Sequence, residues 1–105
     1  MERTQVLSSI KSVAQSFDGA KVAVRLFGSQ ARGEGRGDSD WDILVLVNKS
    51  RLDEADHERY AYPFWKLGWQ TGAMIHPVIY TFSEWERRKG TPFYDNVETD
   101  GILLC

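Results

Sequence analysis

Residues 28–32 read Gly-Ser-Gln-Ala-Arg, and two aspartates, Asp40 and Asp42, follow one residue apart at the mouth of the apolar run Trp41–Val47. Gly28 and Ser29 suit an anion cradle. Glycine lets the backbone come close to a ligand. Backbone N–H groups at a helical turn point outward, where the local dipole favours negative charge. Ser29 adds a hydroxyl, and Arg32 a guanidinium able to meet a phosphate bidentately. Taken alone the glycine-rich stretch is a weak signal, because glycine also simply makes turns. The acids strengthen it. Alternate side chains of a strand share a face, so Asp40 and Asp42 are expected to point the same way, with Cα atoms about 6.6 Å apart. Two carboxylates beside a low-dielectric sheet repel each other. A proton or a divalent cation relieves the repulsion. Mg²⁺ typically takes one or two carboxylates plus phosphate oxygens. A phosphate cradle beside an Asp-x-Asp pair therefore supplies both halves of a metal–nucleotide site. With two ions, such a site can clamp the attacking and leaving oxygens of a phosphoryl transfer. The bland reading makes Asp40 a turn cap and Asp42 a solvated strand end. It sits poorly with a carboxylate inside Trp-Asp-Ile-Leu-Val, since burying an unpaired charge is expensive.

Elements must hold these groups in place. Val6, Ile10, Val13, Ala14 and Phe17 recur at helical spacing, and Asp18-Gly19 stops the pattern. A helix is predicted over 3–17. Residues 21–27 alternate as a strand, with Val22, Val24 and Leu26 on one face. Residues 41–47 are too uniformly apolar for a half-wet strand and read as a central one. A helix is predicted over 52–67, with Pro63 weakening its second half, then a loop over 68–72. Residues 73–81 form a third strand, which Pro77 assigns to an edge or a bulge. Ser83 and Glu86 match a capping box for a short helix over 84–89. Thr91-Pro92 opens another helix. Gly101 ends it, and Ile102-Leu103-Leu104 adds a last short strand. One domain spanning 1–105 is expected, mixed in α and β, on one small sheet.

The bulk numbers exclude several classes. Of 105 residues, 42% are hydrophobic and 27% charged, which is ordinary globular usage, and the net charge is −2 with no like-charge block. That argues against a nucleic-acid-coating or anionic-membrane surface, so nucleic acid is not expected as the main ligand. The single cysteine, Cys105, rules out an intrachain disulfide framework and argues against a cysteine-based zinc site. No stretch approaches the ~20 apolar residues of a membrane helix, and the first residues lack a signal-peptide core. A soluble protein of a reducing compartment, cytoplasmic, is the expectation.

Phe27-Gly28-Ser29-Gln30-Ala31-Arg32-Gly33, then Ser39-Asp40-Trp41-Asp42-Ile43-Leu44-Val45, resembles the signature of the minimal nucleotidyltransferases of the DNA polymerase β-like superfamily. A looser likeness covers nearly the whole chain. The resemblance implies an α+β fold, a small mixed β-sheet flanked by helices. It implies that Gly28 and Ser29 contact nucleotide phosphate and that Asp40 and Asp42 bind Mg²⁺. It implies transfer of a nucleoside monophosphate from an NTP to an acceptor hydroxyl, with pyrophosphate released. Small members often sit beside a helical HEPN-domain partner as a toxin–antitoxin-like pair. The chain departs from the pattern at one place. Active members usually carry a third carboxylate on a later strand, whereas Met74–Tyr80 contains no acid and His76 stands where that acid is sought. A histidine can ligate metal or act as a base near neutral pH. It is more often a rim or core residue with a satisfied hydrogen bond. Glu84 or a partner's acid are the other substitutes. The missing acid supports a second function class: a binding module that keeps the fold and docks a HEPN-type partner without catalysis.

Other signals read as structural. Asp38 beside Gly37 suits a turn, and Arg36-Gly37-Asp38-Ser39 matches an adhesion tetrapeptide by coincidence. His57-Glu58 lacks the second histidine of a zincin helix. Asp53, Glu54, Asp56 and Glu58 read as a solvated helix face. Tyr60, Tyr62, Phe64, Trp65 and Trp69 could form a partner surface or a nucleobase platform, with core filling the more economical reading. The apolar Gly101–Cys105 tail suggests a segment that packs against something, which leaves a homo-oligomer or a larger assembly open.

Overall fold

The computed structural model describes residues 2–35 and 40–105. The turn role of Asp38, the adhesion-like tetrapeptide and Ser39 of the motif lie outside the described residues. Four strands, β1 (Val22–Phe27), β2 (Trp41–Val47), β3 (Ile75–Thr81) and β4 (Ile102–Leu103), form one sheet in the order β3-β2-β1-β4. β2 runs antiparallel to β1 and parallel to β3, and β4 is antiparallel to β1. The sheet is therefore mixed, and β2 is central as its apolar run requires. β3 is an edge strand, where Pro77 can lack its N–H without breaking an inner ladder.

Alternation sorts the sheet into two faces. Val22, Val24, Leu26, Trp41, Ile43, Val45 and Val47 turn toward α1 (Arg3–Gln15) and α2 (Glu54–Thr71), against Val6, Ile10, Ala14, Tyr60 and Phe64. Leu44 and Leu46 turn the other way, with Trp85 of α3 (Phe82–Glu86) and Val97 of α4 (Pro92–Asp100). Each fully buried aliphatic or phenyl side chain contributes about 1.5–3 kcal/mol. Asp42 and the register-paired His76 belong to the second face, at its end, beyond the apolar packing.

α2 differs from expectation. It starts at Glu54 rather than at 52, with Asp53 as N-cap, and it continues through Pro63 and Gly68 to Thr71. The missing proline N–H leaves the carbonyl of Arg59, an exposed residue, so water can satisfy it while Tyr60, Ala61 and Phe64 stay buried. Gly68 belongs to the helix because the chain doubles back tightly there: a Cβ would lie 2.9 Å from the Ala73 carbonyl oxygen. The left-handed Gly72, not Gly68, ends the helix. Asp56 is not part of a solvated face either. It is buried, receives a 2.6 Å bond from Lys49 Nζ and closes the capping box with Asp53.

The capping box at α3 is shifted by two residues. Thr81 and Glu84 form it, through Thr81 N–H to Glu84 Oε1 at 2.9 Å and Glu84 N–H to Thr81 Oγ1 at 3.0 Å. The helix covers 82–86, not 84–89. Burial of Trp85 between the sheet and α4 selects this frame. Glu84 thus caps a helix at the far end of β3 from His76, which removes it as a substitute for a third site acid. On α4, Glu98 accepts from Trp85 Nε1 at 2.8 Å and pairs with Arg25 at 2.8 Å. Burial opposes its charge, but these donors outweigh burial and hold the carboxyl below its ordinary range. The tail folds back: Leu104 is buried in the core, while Ile102 and Leu103 are exposed.

Candidate active site

The site lies where β1 ends, β2 begins and β3 begins. Phe27 pairs with Asp42, and Asp42 pairs with His76, so Gly28 follows directly at the carboxylate. The chain leaves β1 through Gly28 at φ +76° and curls into a tight turn. The amides of Ala31 and Arg32 donate to the Gly28 carbonyl at 3.1 and 3.3 Å, and the Glu34 amide donates to the Ser29 carbonyl at 3.0 Å. Among the described residues, the Ser29 hydroxyl has no hydrogen-bond partner. A Cβ at Gly28 would fall 2.4 Å from Asp42 Oδ2. The turn and the acid thus meet at one corner, with only a glycine between them.

Asp40 immediately precedes β2, and its Oδ2 lies 3.4 Å from His76 Nε2. Burial raises the Asp42 carboxyl above its ordinary 3.8, and the charge of Asp40 raises it further, while His76 and Arg32 act in the opposite direction. The expected repulsion between the two acids has this physical counterpart. Arg32 reaches Glu34 at 3.2 Å and Asp100 at 3.9 Å, which ties the turn to α4. His76 is a half-exposed rim residue on the face of Asp42, in the place where a third acid was sought. The structure therefore assembles Gly28, Ser29, Asp40, Asp42, Arg32 and His76 around one corner. Among the described residues, no group of three or more His, Cys, Asp or Glu side chains is gathered tightly enough to hold a metal by itself.

The nucleotidyltransferase domain family matches residues 7–101. The chain belongs to this family. The nucleotidyltransferase domain shares its fold with a toxin–antitoxin crystal structure containing AMP-PNP, at 23% identity and TM-score 0.63, over 93% of this chain and 71% of that one. A complex of the tri-AMPylated Shewanella oneidensis HEPN toxin with MNT antitoxin matches at 20% identity and TM-score 0.60, over 99% and 72% of the two chains. A proposed minimal nucleotidyltransferase matches at 29% identity and TM-score 0.55, over 95% and 89%. No curated protein matches the sequence.

Two site features escaped sequence reasoning. Arg3, at the start of α1, bonds to Gln30 in the turn. No local spacing links residues so far apart. The aromatic stretch also divides. Tyr60 and Phe64 fill the core, but Tyr62, Trp65 and Trp69 are exposed, which corrects the core reading for those three. With Gly72, Met74 and His76, the two tryptophans line a cavity of about 330 Å³. No helix among the described residues is long and apolar enough to cross a membrane.

Proposed function

We propose that this nucleotidyltransferase domain moves a nucleoside monophosphate from an NTP to an acceptor hydroxyl, with Mg²⁺ as cofactor. The observation that carries this reading is the close approach of Gly28 to the Asp42 carboxylate, which sets the glycine turn directly against the acids. The donor set fits Mg²⁺: two carboxylates, from Asp40 and Asp42, with the remaining positions left for phosphate oxygens and water. When bound, the ion neutralises charge on the reacting phosphate. Ser29 and the turn backbone hold the triphosphate. Arg32 holds the turn to α4 and adds positive charge nearby. The acceptor oxygen attacks the α-phosphorus, a P–O bond forms, and the bond to the bridging oxygen of the β-phosphate breaks. Pyrophosphate leaves, and the acceptor proton passes to the imidazole of His76.

A HEPN-domain protein is the proposed partner. One neighbour is described as an AMPylated HEPN toxin bound to an antitoxin of this fold. In the present chain, Trp69 is 72% exposed and Met74 57%, an apolar surface that a partner can cover. Incubation with labelled NTPs and a co-expressed HEPN-domain protein is expected to transfer label, and Asp40→Ala is expected to abolish it. Label that persists in Asp40→Ala, or never appears in the wild type, removes the catalytic reading. The latter result, with the partner still bound, favours a non-catalytic docking module. Trp69→Glu is expected to weaken partner binding by about 30-fold, the scale of an interface hot spot, and to leave Mg²⁺–ATP affinity unchanged. Undiminished co-purification of that variant would place the interface elsewhere.

A further inference from the structure

Arg3 donates twice to the cradle turn: Nε to Gln30 Oε1 at 3.0 Å, and Nη2 to the Gln30 carbonyl oxygen at 2.8 Å. Gln30 is only 1% exposed. The chain returns over it at Gly35, where a Cβ would come within 2.4–2.8 Å of the carboxamide atoms. The same guanidinium lies over the indole of Trp41, 5.5 Å from its ring centroid. Trp41 stands between Asp40 and Asp42, and its side chain turns to the α1/α2 face while Asp42 turns to the other. One side chain of α1 therefore grips both halves of the site from behind.

Resting on the nucleotidyltransferase reading, we propose that Arg3 is a positioning residue that brackets the turn over 28–35 to the start of β2. Gly28 and Gly33 hold this turn at positive φ, and glycine restrains its own backbone least, so the turn depends on outside contacts to fix it. The planar fork of arginine satisfies a side-chain and a main-chain acceptor together, which the single ammonium of lysine cannot reproduce. The fork thereby fixes the separation between the phosphate-holding corner and the two acids. In this role Arg3 and Gln30 act through Gly28 and Ser29 rather than on the nucleotide.

The test measures Mg²⁺–ATP affinity by calorimetry, thermal stability, and amide hydrogen exchange in the full chain. Arg3→Ala is expected to weaken Mg²⁺–ATP binding by about 10- to 100-fold, the usual range for groups that orient ligand-holding residues. Amides of residues 29–35 are expected to exchange at least about tenfold faster, while those of β2 stay protected. Arg3→Lys, which keeps the charge, is expected to recover less than half of the lost binding energy, and it serves if the alanine variant fails to fold. Wild-type affinity and wild-type exchange in Arg3→Ala would overturn the proposal. Exchange that rises equally throughout the molecule would reduce Arg3 to a general structural role and also overturn it. Absence of Mg²⁺–ATP binding in the wild type would sink the nucleotidyltransferase reading instead. The bracket would then stand on exchange confined to 29–35 and fall without it.

Discussion

Gly28→Ala is expected to lower Mg²⁺–ATP affinity by at least about 100-fold. Two separate effects combine. The backbone at this position has φ +76°, where a non-glycine residue costs about 1–2 kcal/mol. The added methyl would also sit 2.4 Å from Asp42 Oδ2 and 3.3 Å from its Cγ. An aspartate side chain is short, and its carboxylate clears the methyl only by rotating about χ1 or χ2. Either rotation re-aims Oδ2 away from the corner it shares with Ser29. Gly33→Ala separates the two effects, because Gly33 has φ +73° and a methyl there would meet none of the described residues within 4 Å. It should lose a similar amount of stability, about 1–2 kcal/mol, and keep nucleotide binding. Calorimetric titration and thermal melts of both variants provide the comparison. Equal binding by Gly28→Ala and the wild type would show that the cradle and Asp42 work independently.

Asp42→Asn is expected to abolish Mg²⁺–ATP binding, by at least about 100-fold, without destabilising the fold. Burial and the neighbouring Asp40 charge raise the native Asp42 carboxyl above its ordinary 3.8. The folded state therefore holds this proton more tightly than the unfolded chain does. Such a group stabilises the fold fully below the unfolded value, and that stability is lost as pH rises through the higher native value. At neutral pH the ionised Asp42 opposes folding in the free protein, and asparagine removes the opposition. The melting temperature at neutral pH should hold or rise, and the decline of stability with pH just above 3.8 should become shallower. A marked fall in melting temperature at neutral pH would contradict the assigned origin of the strain.

Much of the framework was legible in residue order because it rests on local rules. Val22, Val24 and Leu26 alternate and form β1. The apolar run 41–47 required burial on both faces and became the central strand. Pro77 marked an edge, and Thr91-Pro92 opened α4. Local rules failed where two local choices compete and distant packing decides. Pro63 and Gly68 both argue against helix, yet the burial of Tyr60, Ala61 and Phe64 carries α2 past them. The box at Thr81 and Glu84 prevails over that at Ser83 and Glu86 because Trp85 must reach Leu44 and Leu46. Aromatic residues close in sequence divide between core and surface according to their side of a helix that was expected to end earlier.

The site divides in the same way. The kinds of group present, and hence the phosphate-and-cation chemistry, are written in Gly28, Ser29, Asp40 and Asp42, because spacing along one strand and one turn sets them side by side. Which further residues join them was settled only by folding. Parallel pairing of β3 with β2 brings His76 beside Asp40, and packing of α1 beneath β2 brings Arg3 to Gln30 and Trp41. These meetings depend on chain segments remote in order becoming neighbours in space, which no periodicity of residue types encodes.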